Sequence, residues 1–256
     1  MDCNPIPGLA GAPMKLTDFK VLTFDCYGTL IDWEAGIFNA LAPLVAKAGN
    51  AALGRDKLLE LYAVEEAEQE VETPAMPYAQ LLSVVYHRLA KSWGVKVTNE
   101  EANIFGASVP DWPAFPDSAA SLQYLKKFYK LVILSNVDRL SFRSSNARLQ
   151  VEFDAIYTAQ DIGSYKPSLN NFDYMLSRLE QDFSLNPGDV LHTAQSLFHD
   201  HAPANAKGLA SAWIDRRHAD GGWGATPPPP GSPKYDFRFE SMAALVKAHQ
   251  EQLRAG

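Results

Sequence analysis

The six residues Phe24-Asp25-Cys26-Tyr27-Gly28-Thr29 constrain this chain more than any other stretch. Phe19 to Phe24 reads as a short apolar strand, of the kind buried in the middle of a sheet. Asp25 then falls at the strand's carboxyl end, where open α/β sheets collect their ligands. Gly28 lets the chain turn away sharply, and Thr29 brings a hydroxyl back towards the same point. An Asp close before a Gly is by itself most often a turn. In this position it is also suited to act as a nucleophile or a metal ligand. The rest of the chain decides between them.

From about Glu34 to Ala107 the pattern is helix after helix. Ile37, Leu41, Leu44 and Val45 recur at helical spacing, as do Leu58, Leu61 and Tyr62, then Leu81, Val84, Val85 and Leu89. Prolines 110, 113 and 116 make a stiff connector. Beyond it a helix is expected over 118–127 with Asp117 as its N-cap, then a strand over 131–134 that ends in Ser135-Asn136. An αβ step through 153–158 leads to Tyr165-Lys166-Pro167 and a helix over 171–181. Strands follow at 190–194 and 211–214, with a last strand and helix near 235–239 and 241–253. Alternation of this kind predicts an α/β fold, a Rossmann-like parallel sheet with helices on both faces. The core would comprise residues 1–34 and 108–256, and residues 35–107 would form an inserted helical cap.

Composition removes several classes of function. A formal net charge of −7 over 256 residues, with no long basic run, argues against a nucleic-acid partner. Two cysteines, Cys3 and Cys26, make neither a disulfide framework nor a metal-ligand spacing. The first 14 residues hold three prolines and no apolar signal core, and no apolar run reaches membrane-spanning length. A cytoplasmic protein with no membrane partner is the expectation.

Each core strand ends in a polar residue that could meet the others above the sheet. Asp25 and Thr29 follow the first, Ser135 and Asn136 the second, Asp200 lies past the strand at 190–194, and Lys166 precedes a helix. Singly, each has an ordinary explanation as a cap or a solvated charge. Their joint order is harder to ascribe to chance. The chain resembles the haloacid dehalogenase (HAD) superfamily, and within it the L-2-haloacid dehalogenase branch. Phe-Asp-Cys-Tyr-Gly-Thr-Leu matches the first motif, Ile-Leu-Ser-Asn the second, Tyr-Lys-Pro the third and His199-Asp200 the fourth.

Tyr27 is the informative position. Phosphatases of the superfamily carry there a second Asp that protonates the leaving alcohol, whereas haloacid dehalogenases carry Tyr. Halide is a weak base and leaves without a proton. The resemblance implies that Asp25 attacks C2 of a 2-haloacid and forms an aspartyl ester, with Lys166 holding Asp25 ionised. Water positioned by Asp200 would hydrolyse the ester to a 2-hydroxyacid. Thr29, Ser135 and the backbone at Asn136 would stabilise the oxyanion and the substrate carboxylate. Tyr27, Asn136, Phe172, Gln195 and His199 would line the substrate pocket. The implied partner is a small organic acid, no cofactor is expected, and the resemblance leaves room for a homodimer.

The match also departs from the family. Ala63 stands where an early cap-helix Arg receives the halide, Phe172 replaces a Tyr, and His199 replaces a Trp. The acidic run Glu65, Glu66, Glu68 and Glu70 reads as a solvated helix face; any member that faced the cleft would repel halide and carboxylate alike. Two alternatives stay open: a phosphatase using Mg2+ held by Asp25 and Asp200, and a member of the fold with lost or altered catalysis.

Overall fold

The computed structural model describes residues 14–50, 52–229 and 231–255. Six strands form one sheet: β1 (Val21–Phe24), β2 (Lys130–Ser135), β3 (Ala155–Thr158), β4 (Val190–Ala194), β5 (Ala210–Ile214) and β6 (Phe237–Phe239). Their order is β3-β2-β1-β4-β5-β6, and every neighbouring pair is parallel. The chain winds outwards from β1 to β3, then returns to β4 on the other side of β1. The order therefore reverses between β1 and β4, which places the ligand crevice at the ends of these two strands.

Side-chain alternation explains why the central strands read as unbroken apolar runs. Leu22, Phe24, Leu131, Ile133 and Leu191 enter one core. Val21, Val132, Leu134 and Val190 point to the other, packing with Phe172, Met175 and Leu179 of α8 (Leu169–Phe183). Both faces are covered, so neither needs a polar alternation.

Between β1 and β2 lie five α-helices among the described residues: α1 (Trp33–Lys47), α2 (Arg55–Glu72), α3 (Tyr78–Ser92), α4 (Asn99–Gly106) and α5 (Ser118–Leu125). Asp32 caps α1 by accepting from the Ala35 N–H at 3.1 Å. Thr98 and Glu101 form a reciprocal capping box at α4. After β2 come α6 (Arg139–Leu149), α7 (Ala159–Ile162), α8, α9 (Ala202–Ala206) and α10 (Met242–Ala255). Asp117 does not cap α5 with its side chain. Its carboxylate instead accepts from Arg216 at 2.9 and 3.1 Å and from the Ala243 N–H at 3.0 Å, joining the starts of α5 and α10. The charged partner supplied by the fold outcompetes the local amide. No helix among the described residues is long and apolar enough to cross a membrane.

Gly36 fixes how closely the first inserted helix approaches the core. A Cβ there would lie 2.3 Å from the ring of Trp112. That indole is buried and meets Tyr27 and Tyr78 edge to face. In an open helix Gly→Ala stabilises by up to about 1 kcal/mol. At this position Gly36→Ala should destabilise, by about 1–3 kcal/mol through overpacking. Thermal unfolding checks the sign, since a raised melting temperature would mean that Trp112 yields freely.

Candidate active site

β1 delivers Asp25 to the crevice, and the turn behind it holds the carboxylate in place. Gly28 has φ of 95°, which lets Thr29 fold back. The Thr29 hydroxyl donates to Asp25 Oδ2 at 2.7 Å and accepts from the Gln195 N–H at 2.9 Å. Asp25 Oδ1 accepts from Lys166 Nζ at 2.9 Å. The same ammonium donates to Asp200 Oδ1 at 2.7 Å and to the Leu134 carbonyl at 3.0 Å. All three donor directions of Lys166 are thereby used. Asp200 also accepts from His192 Nε2 at 3.0 Å, and His192 Nδ1 lies 2.8 Å from the Thr23 hydroxyl. Thr23, His192, Asp200, Lys166 and Asp25 thus form a continuous buried chain.

The electrostatics follow from one ammonium between two carboxylates. Burial would raise Asp200, but Lys166 and the His192 hydrogen bond outweigh it and hold the carboxyl well below its usual range. Burial would lower Lys166, and the charges of Asp200 and Asp25 more than offset that. Asp25 moves up: burial dominates, Asp200 adds to it, and Lys166 and Thr29 oppose it. Lys166 therefore favours the ionised nucleophile in direction, against a larger effect of burial. Burial also drives the Tyr27 phenol well above its ordinary value, so it stays a neutral hydroxyl.

Asp25, Lys166 and Asp200 share a small cavity of about 40 Å³ with Tyr27, Asn136 and His199. The expected residues distribute as follows. The Asn136 side chain clasps Lys166, accepting from its N–H at 2.7 Å and donating to its carbonyl at 3.0 Å. Tyr27 hydrogen-bonds Ser145 at 2.9 Å. Burial holds His199 neutral, lowering it to about 4, and Ser196 accepts from its N–H at 2.9 Å. Ser135 is buried at the end of β2, and its hydroxyl has no partner among the described residues.

Two expected lining residues fall elsewhere. Phe172 is fully buried in the α8 core and packs edge to face on His192, 5.1 Å between ring centroids. It supports the histidine that bonds Asp200. Gln195 enters through its backbone, donating to Thr29 and accepting from Trp213 Nε1 at 2.9 Å, while its side chain lines a neighbouring cavity with Arg216 and Arg217. Ala63 lies along a third groove with Trp223 and Pro227. His201 is bonded to Ser211 and to the Ala194 carbonyl, each at 3.0 Å, and so is committed to the core.

The main correction concerns the acidic run. Glu65, Glu68 and Glu72 do form an outer face, gathered by Arg88 of α3. Glu66 and Glu70 instead turn inward and line the Asp25 cavity. Glu66 Oε1 accepts from the hydroxyls of Tyr62 at 2.7 Å and Tyr78 at 2.6 Å. Glu70 Oε1 accepts from Asn136 at 3.2 Å. The signal was available: Tyr62, Glu66 and Glu70 stand four apart, one stripe of α2, whereas Glu65, Glu68 and Glu72 make another. His192 was legible only as one histidine inside an apolar strand.

Burial pushes Glu66 up to about 7, with the tyrosine hydrogen bonds pulling the other way. A carboxyl raised in the folded state loses stability as pH rises from its unfolded value through its folded one. Glu66→Gln should therefore flatten the fall in stability over roughly pH 4.5–7, and be more stable by about 3 kcal/mol above it. Denaturant unfolding across that window is the check; parallel curves for the two proteins would show that Glu66 does not titrate there.

Among the described residues no group of three or more His, Cys, Asp or Glu side chains is placed to hold a metal ion. By sequence, the chain matches the haloacid dehalogenase-like hydrolase family over residues 19–193. No curated protein matches it significantly. Among solved structures, a defluorinating L-2-haloacid dehalogenase is similar with a TM-score of 0.71 and 20% identity, over 93% of this chain and 100% of that one. The L-2-haloacid dehalogenase of Xanthobacter autotrophicus, with chloropropionic acid covalently bound, gives 0.72 and 18%, over 91% and 98%. A protein of the HAD-hydrolase type from Bacillus subtilis, bound to magnesium, gives 0.68 and 18%, over 90% and 98%. At such identities these likenesses concern the fold. The family match is different in kind, because it spans most of the chain and takes in Asp25, Ser135, Asn136 and Lys166. On that ground the chain belongs to the haloacid dehalogenase-like hydrolases.

Proposed function

We propose that this protein hydrolyses a carbon–halogen bond in a small 2-haloacid, or a close derivative of one, through an ester formed on Asp25. One observation carries the reading: a single buried ammonium, Lys166, bridges Asp25 Oδ1 and Asp200 Oδ1 at the wall of the cavity. In the first step a carboxylate oxygen of Asp25 bonds to the halogen-bearing carbon, and the carbon–halogen pair departs as halide. Neutralising Asp25 this way removes one of two buried like charges. In the second, water attacks the Asp25 carbonyl carbon. Asp200 Oδ2 is buried and has no partner among the described residues, which suits it to accept a hydrogen bond from that water. Lys166 and Thr29 remain on the Asp25 oxygens to stabilise the developing oxyanion. The bond between the Asp25 carbonyl carbon and the substrate oxygen then breaks. The proton given up by the water to Asp200 passes to that oxygen to complete the hydroxy product, and Asp25 is restored as a carboxylate.

The position two residues after Asp25 offers no carboxyl to protonate a leaving alkoxide, since Tyr27 is held there as a neutral phenol bonded to Ser145. The donor set also fits magnesium poorly. Hard cations take several oxygen ligands, and here the facing carboxylate oxygens converge on an ammonium instead. We therefore read the reaction as metal-independent, in a soluble enzyme acting on a small molecule.

The test is the intermediate itself. Asp200→Asn, treated with bromoacetate and bromoacetamide, should accumulate an ester adduct visible by intact mass and mapped to the Asp25 peptide. Chelator should leave that adduct unchanged. Turnover of either compound by Asp200→Asn without any adduct on the Asp25 peptide would refute the covalent route.

A further inference from the structure

The charge around the cavity is unusual for a site that would receive an anion. Four carboxyl groups line it: Asp25, Glu66, Glu70 and Asp200. The only lining cation among the described residues is Lys166, which is spent on Asp25, Asp200 and the Leu134 carbonyl. His199, the other basic group, is neutral. A substrate carboxylate would therefore find no free cation and would meet carboxyl groups on opposing walls.

What the site does offer is acceptors. Glu70 Oε1 is engaged by Asn136, while Oε2 lies 3.9 Å from His199 Nε2, too far for a hydrogen bond. Across the cavity Asp200 Oδ2 is buried and has no partner among the described residues. Glu66 is fixed by Tyr62 and Tyr78, so α2 presents two positioned carboxyl groups rather than a mobile acidic patch. We propose that Glu66 and Glu70 receive a nitrogen-bearing hydrogen-bond donor of the substrate, a primary amide or an amine, in the place a 2-haloacid would carry its carboxylate. An amide can donate N–H to Glu70 while accepting from a protonated carboxyl. An ammonium would draw the pair towards their ionised form and release the protons they hold.

The groups that would shape this response are on every wall. Tyr62 and Glu70 share α2 with Glu66, Tyr78 comes from α3, and Tyr165, Lys166, His199, Asp200 and Asp25 come from the sheet side. Of these, Glu66 is the carboxyl raised to about 7, so an amine should bind more tightly as pH rises through that value.

The inference rests on the proposed function only for the size and carbon skeleton of the substrate, and it can be tested without breaking a bond. Glycolamide, ethanolamine and glycolate carry hydroxyl where the halogen would be. Calorimetry should show glycolamide or ethanolamine binding at least about tenfold tighter than glycolate at neutral pH. Ethanolamine affinity should rise between about pH 6 and about pH 8, with proton release that Glu66→Gln reduces and Glu66→Gln/Glu70→Gln removes. Glu66→Gln/Glu70→Gln should narrow the preference over glycolate by about tenfold. Glycolate binding as tightly as the amide and the amine, or no binding by any of the three, overturns the inference even if the variants fail to fold. The missing Asp25 adduct would refute the ester route and leave this result standing.

Discussion

Asp25→Asn should abolish turnover, by about 10⁴-fold or more, without weakening the fold. The two halves of this expectation come from the same geometry. Asp25 is raised by burial and by the charge of Asp200, so its ionised form costs the folded state stability at neutral pH. An amide of the same shape removes that cost and leaves Lys166 paired with Asp200 at 2.7 Å. The melting temperature should hold or rise while activity vanishes. Oxygen labelling distinguishes a nucleophile from a general base. With enzyme in excess in heavy-oxygen water, the first product should carry ordinary oxygen from Asp25, and label should appear in the Asp25 peptide. Label in the first-turnover product with an unlabelled peptide would mean that water attacks the substrate directly.

The sheet was legible because its strands are short, strongly apolar and followed by polar residues. The Asp25–Lys166–Asp200 contact was legible through the motif resemblance, since Lys166 lies in a loop before α8. Val190 to Ala194, for instance, is found as a strand with the bounds its composition suggests. Residues with two plausible partners were not legible. Asp117 has the right place for an N-cap, yet Arg216, 99 positions away, claims it. Phe172 follows Lys166 closely enough to suggest the pocket, but α8 turns it into the core beneath His192. The acidic run failed for a different reason. Composition saw four glutamates as one face, whereas a helical stripe separates Glu66 and Glu70 from Glu65 and Glu68. Only the packing of α2 against Tyr78 and Asn136 decides which stripe is buried.

Lys166→Met should be the most destabilising substitution at this site, costing about 3–5 kcal/mol near neutral pH. Lys166 is 1% exposed, and its removal leaves Asp25 and Asp200 facing each other with no counter-ion. Exchanging a complete buried ion pair for apolar groups can be neutral, but here two carboxylates stay behind. The sign of the pH dependence follows. In the native protein Asp200 is lowered, so its contribution is present above the unfolded carboxyl value and is lost as pH falls through its folded one. Without Lys166 burial acts unopposed by that charge and raises both carboxyls, so the variant loses stability as pH rises. The gap between the two proteins should thus be widest near neutrality and narrow towards about pH 4. Adding Asp25→Asn and Asp200→Asn to Lys166→Met should recover most of the loss, because no buried charge is then unpaired. A Lys166→Met protein within about 1 kcal/mol of native at neutral pH, or a triple variant no more stable than the single one, would show that the ammonium is not what allows two carboxylates to be buried together.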